Sequence, residues 1–120
     1  MAQTPQDLLP RQQLSQLNQL QDGPAWIRLS SHLGTIAVGG VLWRLASVPL
    51  PLRLLGLVIT GVGLATCFAG LHECCHRTAF RRKQVNDAVA WLMGLLSFYN
   101  STFYRRYHQW HHRYTHQPGL

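Results

Sequence analysis

From Leu54 to Leu71 the chain runs eighteen residues without a charged side chain. As a helix rising about 1.5 Å per residue, such a run covers roughly 27 Å, close to the hydrocarbon thickness of a bilayer. No other feature constrains the fold as tightly, because in lipid a segment of this kind has to satisfy its own backbone hydrogen bonds and is therefore helical. A second apolar stretch, Leu33 to Leu52, precedes it and is interrupted only by Arg44, with Pro49 and Pro51 placing a turn between the two. The pair predicts a helical hairpin with spans at about residues 33–52 and 54–71. An arginine in the first span is tolerable where it reaches the nearer surface.

Around this hairpin the sequence is sharply partitioned. Residues 1–28 are polar and glutamine-rich, and residues 72–120 are basic, aromatic and histidine-rich. The reading divides the 120 residues into a polar N-terminal cytoplasmic segment, 1–28, and one partial membrane domain, 29–120. Leucines at 14, 17 and 20 allow a weak amphipathic helix near the N-terminus. Asp22-Gly23-Pro24 reads as a chain break, and Trp26 as an interfacial anchor. The fold class is all-α, with the hairpin followed by an interfacial helix and a histidine-bearing cytoplasmic helix. The apolar middle of residues 85–104 is too short to span, so it is expected to lie in the interface or re-enter the membrane.

Eleven Lys and Arg stand against four acidic residues, a net charge of +7. Arg77, Arg81, Arg82 and Lys83 follow the second apolar run directly, where basic residues mark a cytoplasmic flank. This placement favours a membrane flank over a nucleic-acid surface, so no nucleic-acid partner is expected. The same bias puts both ends of the hairpin, and the histidines, on the cytoplasmic face. The three cysteines do not suggest a disulfide framework, since Cys67 lies in an apolar run and Cys74 and Cys75 are adjacent.

Six of the seven histidines lie within residues 72–116. His72 and His76 are four apart, which on a helix puts both imidazoles on one face for a shared metal. His108, His111 and His112 repeat the logic with offsets of three and four, and His111 and His112 diverge enough to serve different metals. His116 is a possible accessory ligand by spacing, and isolated His32, at a span's edge, reads as interfacial or structural. Neutral imidazole is accepted by iron, zinc and copper. Two other readings account for part of the pattern. His72-Glu73-Cys74-Cys75-His76 matches the H-E-x-x-H signature of zinc proteases, in which the glutamate is general base. Bis-histidine haem binding needs only one ligand on each face of the ring. Neither explains the second cluster.

The text around the clusters carries a further signal: His72-Glu73-Cys74-Cys75-His76-Arg77-Thr78-Ala79-Phe80, then Asn86 and Trp91-Leu92, then Tyr104-Arg105-Arg106-Tyr107-His108-Gln109-Trp110-His111-His112-Arg113-Tyr114-Thr115. H-x-x-x-H after a membrane hairpin, followed by H-x-x-H-H, resembles the membrane-bound fatty acid desaturase and hydroxylase superfamily over about residues 30–120. The resemblance implies an oxygen-dependent oxidoreductase with two non-haem irons, acting on membrane lipid or a fatty acyl chain. It implies an electron donor of the ferredoxin or cytochrome b5 type. Carried over by position, His72, His76, His108, His111 and His112 would be iron ligands, and Glu73 an accessory group orienting an imidazole or the helix. Carotenoid hydroxylation or ketolation is the near alternative, and a non-catalytic truncated membrane remnant is the alternative from another class. The superfamily has a third histidine box downstream, which residues 1–120 do not contain, so the chain alone is expected to be inactive.

Overall fold

The computed structural model describes residues 10–115, and these are helical throughout their ordered elements. Five helices follow one another: α1 (Arg11–Leu17), α2 (Asp22–Arg44), α3 (Leu50–His76), α4 (Lys83–Leu96) and α5 (Ser101–Tyr114). Short α1 buries none of its residues. Asp22-Gly23-Pro24 does not break the chain as expected. It opens α2 instead, because proline in a first helical turn has no intrahelical N–H bond to lose. The Asp22 carboxylate accepts from the backbone N–H of Arg81 at 2.8 Å, and Arg81 Nε donates to the Leu20 carbonyl at 2.7 Å. The N-terminal segment is thus fastened to the loop after α3.

The hairpin is α2 against α3, running antiparallel with its turn at residues 45–49 rather than at the Pro49-Leu50-Pro51 end of the apolar stretch. Leu50 to Leu52 join the second helix, since Pro49 and Pro51 fit the start of a helix and not its interior. Among the described residues one helix, α3, is long and apolar enough to cross a membrane. Only 22% of its most apolar window is buried, so most of that surface faces outward. Val38 and Val41 on α2, and Leu54, Leu57, Val58 and Val62 on α3, are all exposed, as side chains that meet lipid would be.

Close approach of the two helices depends on small residues. A Cβ on Gly39 would lie 2.8 Å from the Gly56 carbonyl oxygen, and one on Gly56 would lie 2.7 Å from the Gly39 carbonyl oxygen. Gly63 receives Ile36 in the same way. Backbones brought this near allow polar side chains to bridge them: Thr60 donates to the Ile36 carbonyl at 3.4 Å, and His32 Nε2 lies 3.0 Å from the Gly63 carbonyl. Of the two roles expected for His32, interfacial or structural, this contact between helices fits the structural one. At the hairpin tip Arg53 stacks over Trp43 at 5.4 Å and donates to its carbonyl.

The densest packing lies at the other end of α3, where Cys67, Leu71, Cys74 and Cys75 meet Val89, Ala90 and Met93 of α4. The loop between the helices is built around Asn86, which is completely buried. Its Nδ2 donates to the carbonyls of Phe80 and Arg82, and its Oδ1 accepts from the Phe80 N–H. Asn86→Ala strands two groups of Phe80 in an apolar setting, each costing about 1–3 kcal/mol. The variant is expected to lose about 2–4 kcal/mol of stability by denaturant titration in micelles, and an unchanged midpoint would contradict the assignment.

Two sharp reversals then bring the chain back on itself. Arg77 after α3 and Phe98 after α4 both have φ of 61°, the left-handed region in which helices commonly end. After α4 the Tyr99 N–H bonds the Gly94 carbonyl and the Phe98 N–H the Leu95 carbonyl, closing a Schellman turn. Gly94 is needed there, because a Cβ would lie 2.6 Å from the Tyr99 carbonyl oxygen. The apolar segment expected over 85–104 is therefore two elements. Asn100 starts the second by accepting from the Phe103 N–H at 2.9 Å.

A four-histidine candidate metal centre

Helix α3 carries His72 and His76 on its last turns, and α5 carries His108 and His112 one turn apart. The reversal through α4 sets these two pairs face to face. His72 Nε2 lies 2.8 Å from His108 Nε2, His76 Nε2 lies 2.9 Å from the same atom, and His112 Nε2 lies 3.0 Å from it. His72 and His76 are themselves 3.1 Å apart at Nε2. All four ligand atoms fall within 4.8 Å of one another.

This arrangement fits a cation better than a hydrogen-bonded network. A neutral imidazole nitrogen is either a donor or an acceptor. Three Nε2 atoms in mutual contact, those of His72, His76 and His108, cannot all be satisfied by bridging protons. A metal at about 2.0–2.1 Å from each nitrogen satisfies every lone pair, and nitrogens at right angles on it lie about 3 Å apart. That spacing matches the observed one. Partial burial first, and then the neighbouring imidazoles His72, His112, His76 and His111, hold His108 below the ordinary imidazole range. It is accordingly neutral and able to ligate at neutral pH.

The other expected site residues are placed differently. His111 does not join the group: it lies exposed on α5 with its Nδ1 3.2 Å from Thr115 Oγ1, its ring 6.1 Å from that of His108. Its neighbour Tyr107 stacks beside it at 6.3 Å. Glu73 is not one of the four and accepts from Thr78 Oγ1, which also donates to the Glu73 carbonyl. This contact ties Glu73 to the chain just beyond α3. His116 lies outside the described residues.

Two further groups stand at the site. Tyr104 is buried and stacks on His108 with ring centres 5.2 Å apart and an interplanar angle of 12°, backed by Phe68 at 5.1 Å. The four-residue offset from Tyr104 to His108 was the available signal. Asp87, the second, binds two arginines. Arg77 grips it with both Nε (3.2 Å) and Nη2 (3.1 Å), and Arg105 Nη2 reaches it at 2.6 Å. Hydrogen bonding from Arg77, and then from Arg105, holds its carboxyl below the usual carboxylate range.

Comparison with known proteins agrees with the geometry. A sequence model of the fatty acid desaturase family matches residues 49–120, which include both histidine clusters. An sn-1 oleoyl-lipid 12-desaturase of Picosynechococcus is 37% identical over 109 residues, 91% of this chain and 30% of the relative. Another, of Anabaena variabilis, is 32% identical over 91 residues, 76% of this chain and 25% of the relative. A fatty acid desaturase of Bacillus subtilis is 32% identical over 75 residues, 59% of this chain and 21% of the relative. The chain thus spans less than a third of the length of these curated relatives. No solved structure matches it. With the family's sequence model covering both histidine clusters and the whole of the helix that can cross a membrane, the chain belongs to the fatty acid desaturase family.

Proposed function

We propose that this chain supplies part of the di-iron centre of a membrane-bound desaturase that introduces a double bond into fatty acyl chains. The observation that carries the reading is the convergence of four imidazole nitrogens from α3 and α5 in a chain of this family. His72, His76, His108 and His112 hold one iron, and His111, turned aside, contributes to the second. The remaining ligands come from a downstream histidine box of the kind the superfamily resemblance implies. When bound, the irons supply the oxygen-dependent redox chemistry that an unactivated alkyl C–H bond requires, since such a bond offers no handle for acid–base catalysis.

The residues of the chain itself position and shelter that chemistry. Tyr104 and Phe68 wall the histidines on the side of the helix core and keep the His108 ring from rotating. The outward apolar faces of α2 and α3 hold the assembly in lipid, so an acyl chain reaches the site sideways from the bilayer. Exposed Arg81, Arg82 and Lys83 at the same end of α3 support a cytoplasmic placement of the histidines. An electron donor of the ferredoxin or cytochrome b5 type docks on that face. The names of the cyanobacterial relatives, oleoyl-lipid 12-desaturases, support a glycerolipid acyl substrate.

The test is the lipid profile of a heterologous host expressing the complete reading frame that contains these residues. New double bonds in acyl chains, dependent on oxygen and lost with His108→Ala, are the expected result. An unchanged acyl profile with oxygenated or ketone-bearing carotenoids in its place would overturn the substrate assignment.

A further inference from the structure

Helix α5 carries half of the four-histidine group, yet Tyr104 is its one buried residue among those described. One tyrosine cannot fix both the axial position and the rotation of a fourteen-residue helix. A metal group is sensitive to both, because it needs nitrogens from α3 and α5 as close as the 2.8–2.9 Å seen here. Something besides apolar packing has to set the register.

We infer that Asp87 of α4 is that device: a positioning residue that sets the histidine pairs of α3 and α5 in register through Arg77 and Arg105. The inference rests on the metal reading above. Arg77 directly follows His76, and Arg105 precedes His108 by less than one helical turn. A single carboxylate therefore takes hold of the chain beside each histidine pair. Its geometry on Arg77 is bidentate, which fixes orientation as well as distance. Arg105 adds a second tie to α3 by donating to the Cys74 carbonyl at 3.4 Å, in the same helical turn as His72 and His76. An isolated exposed ion pair contributes little. Here two arginines from different elements share one carboxylate, and all three helices around the site are joined at that point.

The experiment uses the whole chain in lipid nanodiscs, with hydrogen exchange on the metal-free protein and Co²⁺ titration followed by its visible absorption. Asp87→Asn keeps the shape and removes the charge. Exchange of the α5 amides is expected to rise roughly tenfold while α2 and α3 stay within about twofold of the parent, since opening confined to one unit leaves the others protected. Cobalt affinity is expected to fall roughly 10–100-fold, the usual effect of losing a group that orients ligands. Arg105→Gln should reproduce both changes, and the double variant should be no worse than either single one, because the two residues act through one contact. Unchanged α5 exchange in Asp87→Asn overturns the inference, as does a rise shared equally by all helices in both single variants. If the parent chain takes up no cobalt, the metal reading fails, while the exchange measurement still decides the role of Asp87.

Discussion

Replacing His108 by alanine is expected to abolish metal uptake by the chain, lowering Co²⁺ or Fe²⁺ affinity on the order of a thousandfold or more. Loss of a group that merely orients a ligand costs about 10–100-fold, and loss of a ligand exceeds that. His108 is chosen because its Nε2 lies within 3.0 Å of three other imidazole nitrogens, those of His72, His76 and His112. None of the other three is so central. His111→Ala, on a ring that bonds to Thr115 instead, should lower affinity at this group by less than about tenfold, the effect of a neighbour that is not a ligand. Equal losses in the two variants would mean that the four nitrogens do not form one site. Circular dichroism separates this from unfolding, since loss of one partly buried imidazole from α5 should leave the helix content unchanged.

The second large effect is expected far from the histidines. Gly56→Leu places a side chain where even a Cβ would lie 2.7 Å from the Gly39 carbonyl oxygen and 2.8 Å from the Leu42 Cβ. The obstruction is mainly backbone, so α2 and α3 have to separate. Overpacking of this kind costs about 3 kcal/mol, and with the helices apart the Thr60 and His32 bridges go as well. Each helix should nevertheless stay helical in lipid, because its backbone bonds are internal. The signature is a large shift in the denaturation midpoint with helix content preserved. Gly61→Leu is the control: nothing lies within 4 Å of its Cβ position, and its midpoint should move little. Matching shifts at both positions would sink the close-approach account.

Spacing alone revealed that His72 and His76 share a face, and that His108 and His112 do. It also separated His111 from His112, and in the structure His112 joins the group while His111 meets Thr115. Convergence of the two pairs was not legible, because it depends on the reversals at Arg77 and Phe98. Helix ends of this form usually announce themselves with glycine, and neither residue is one. For the same reason residues 85–104 read as one segment, although Asn100 stood at the true start of α5. The apolar runs pointed to a pair of helices, and the structure packs α2 against α3 with the turn at residues 45–49, because prolines suit a helix start. The role of Asp87 was not legible either. Its partners are ten and eighteen residues away, beyond any helical period, and only the folded chain shows them meeting.

X-ray absorption at the iron edge, on the whole chain loaded with Fe²⁺ in nanodiscs, tests the central claim most directly. A first shell of about four nitrogens with the multiple-scattering pattern of imidazole is the predicted result for this donor set. That pattern should weaken in His108→Ala and persist in His111→Ala. A shell of oxygen alone, or one that includes cysteine sulfur, would contradict the four-histidine centre.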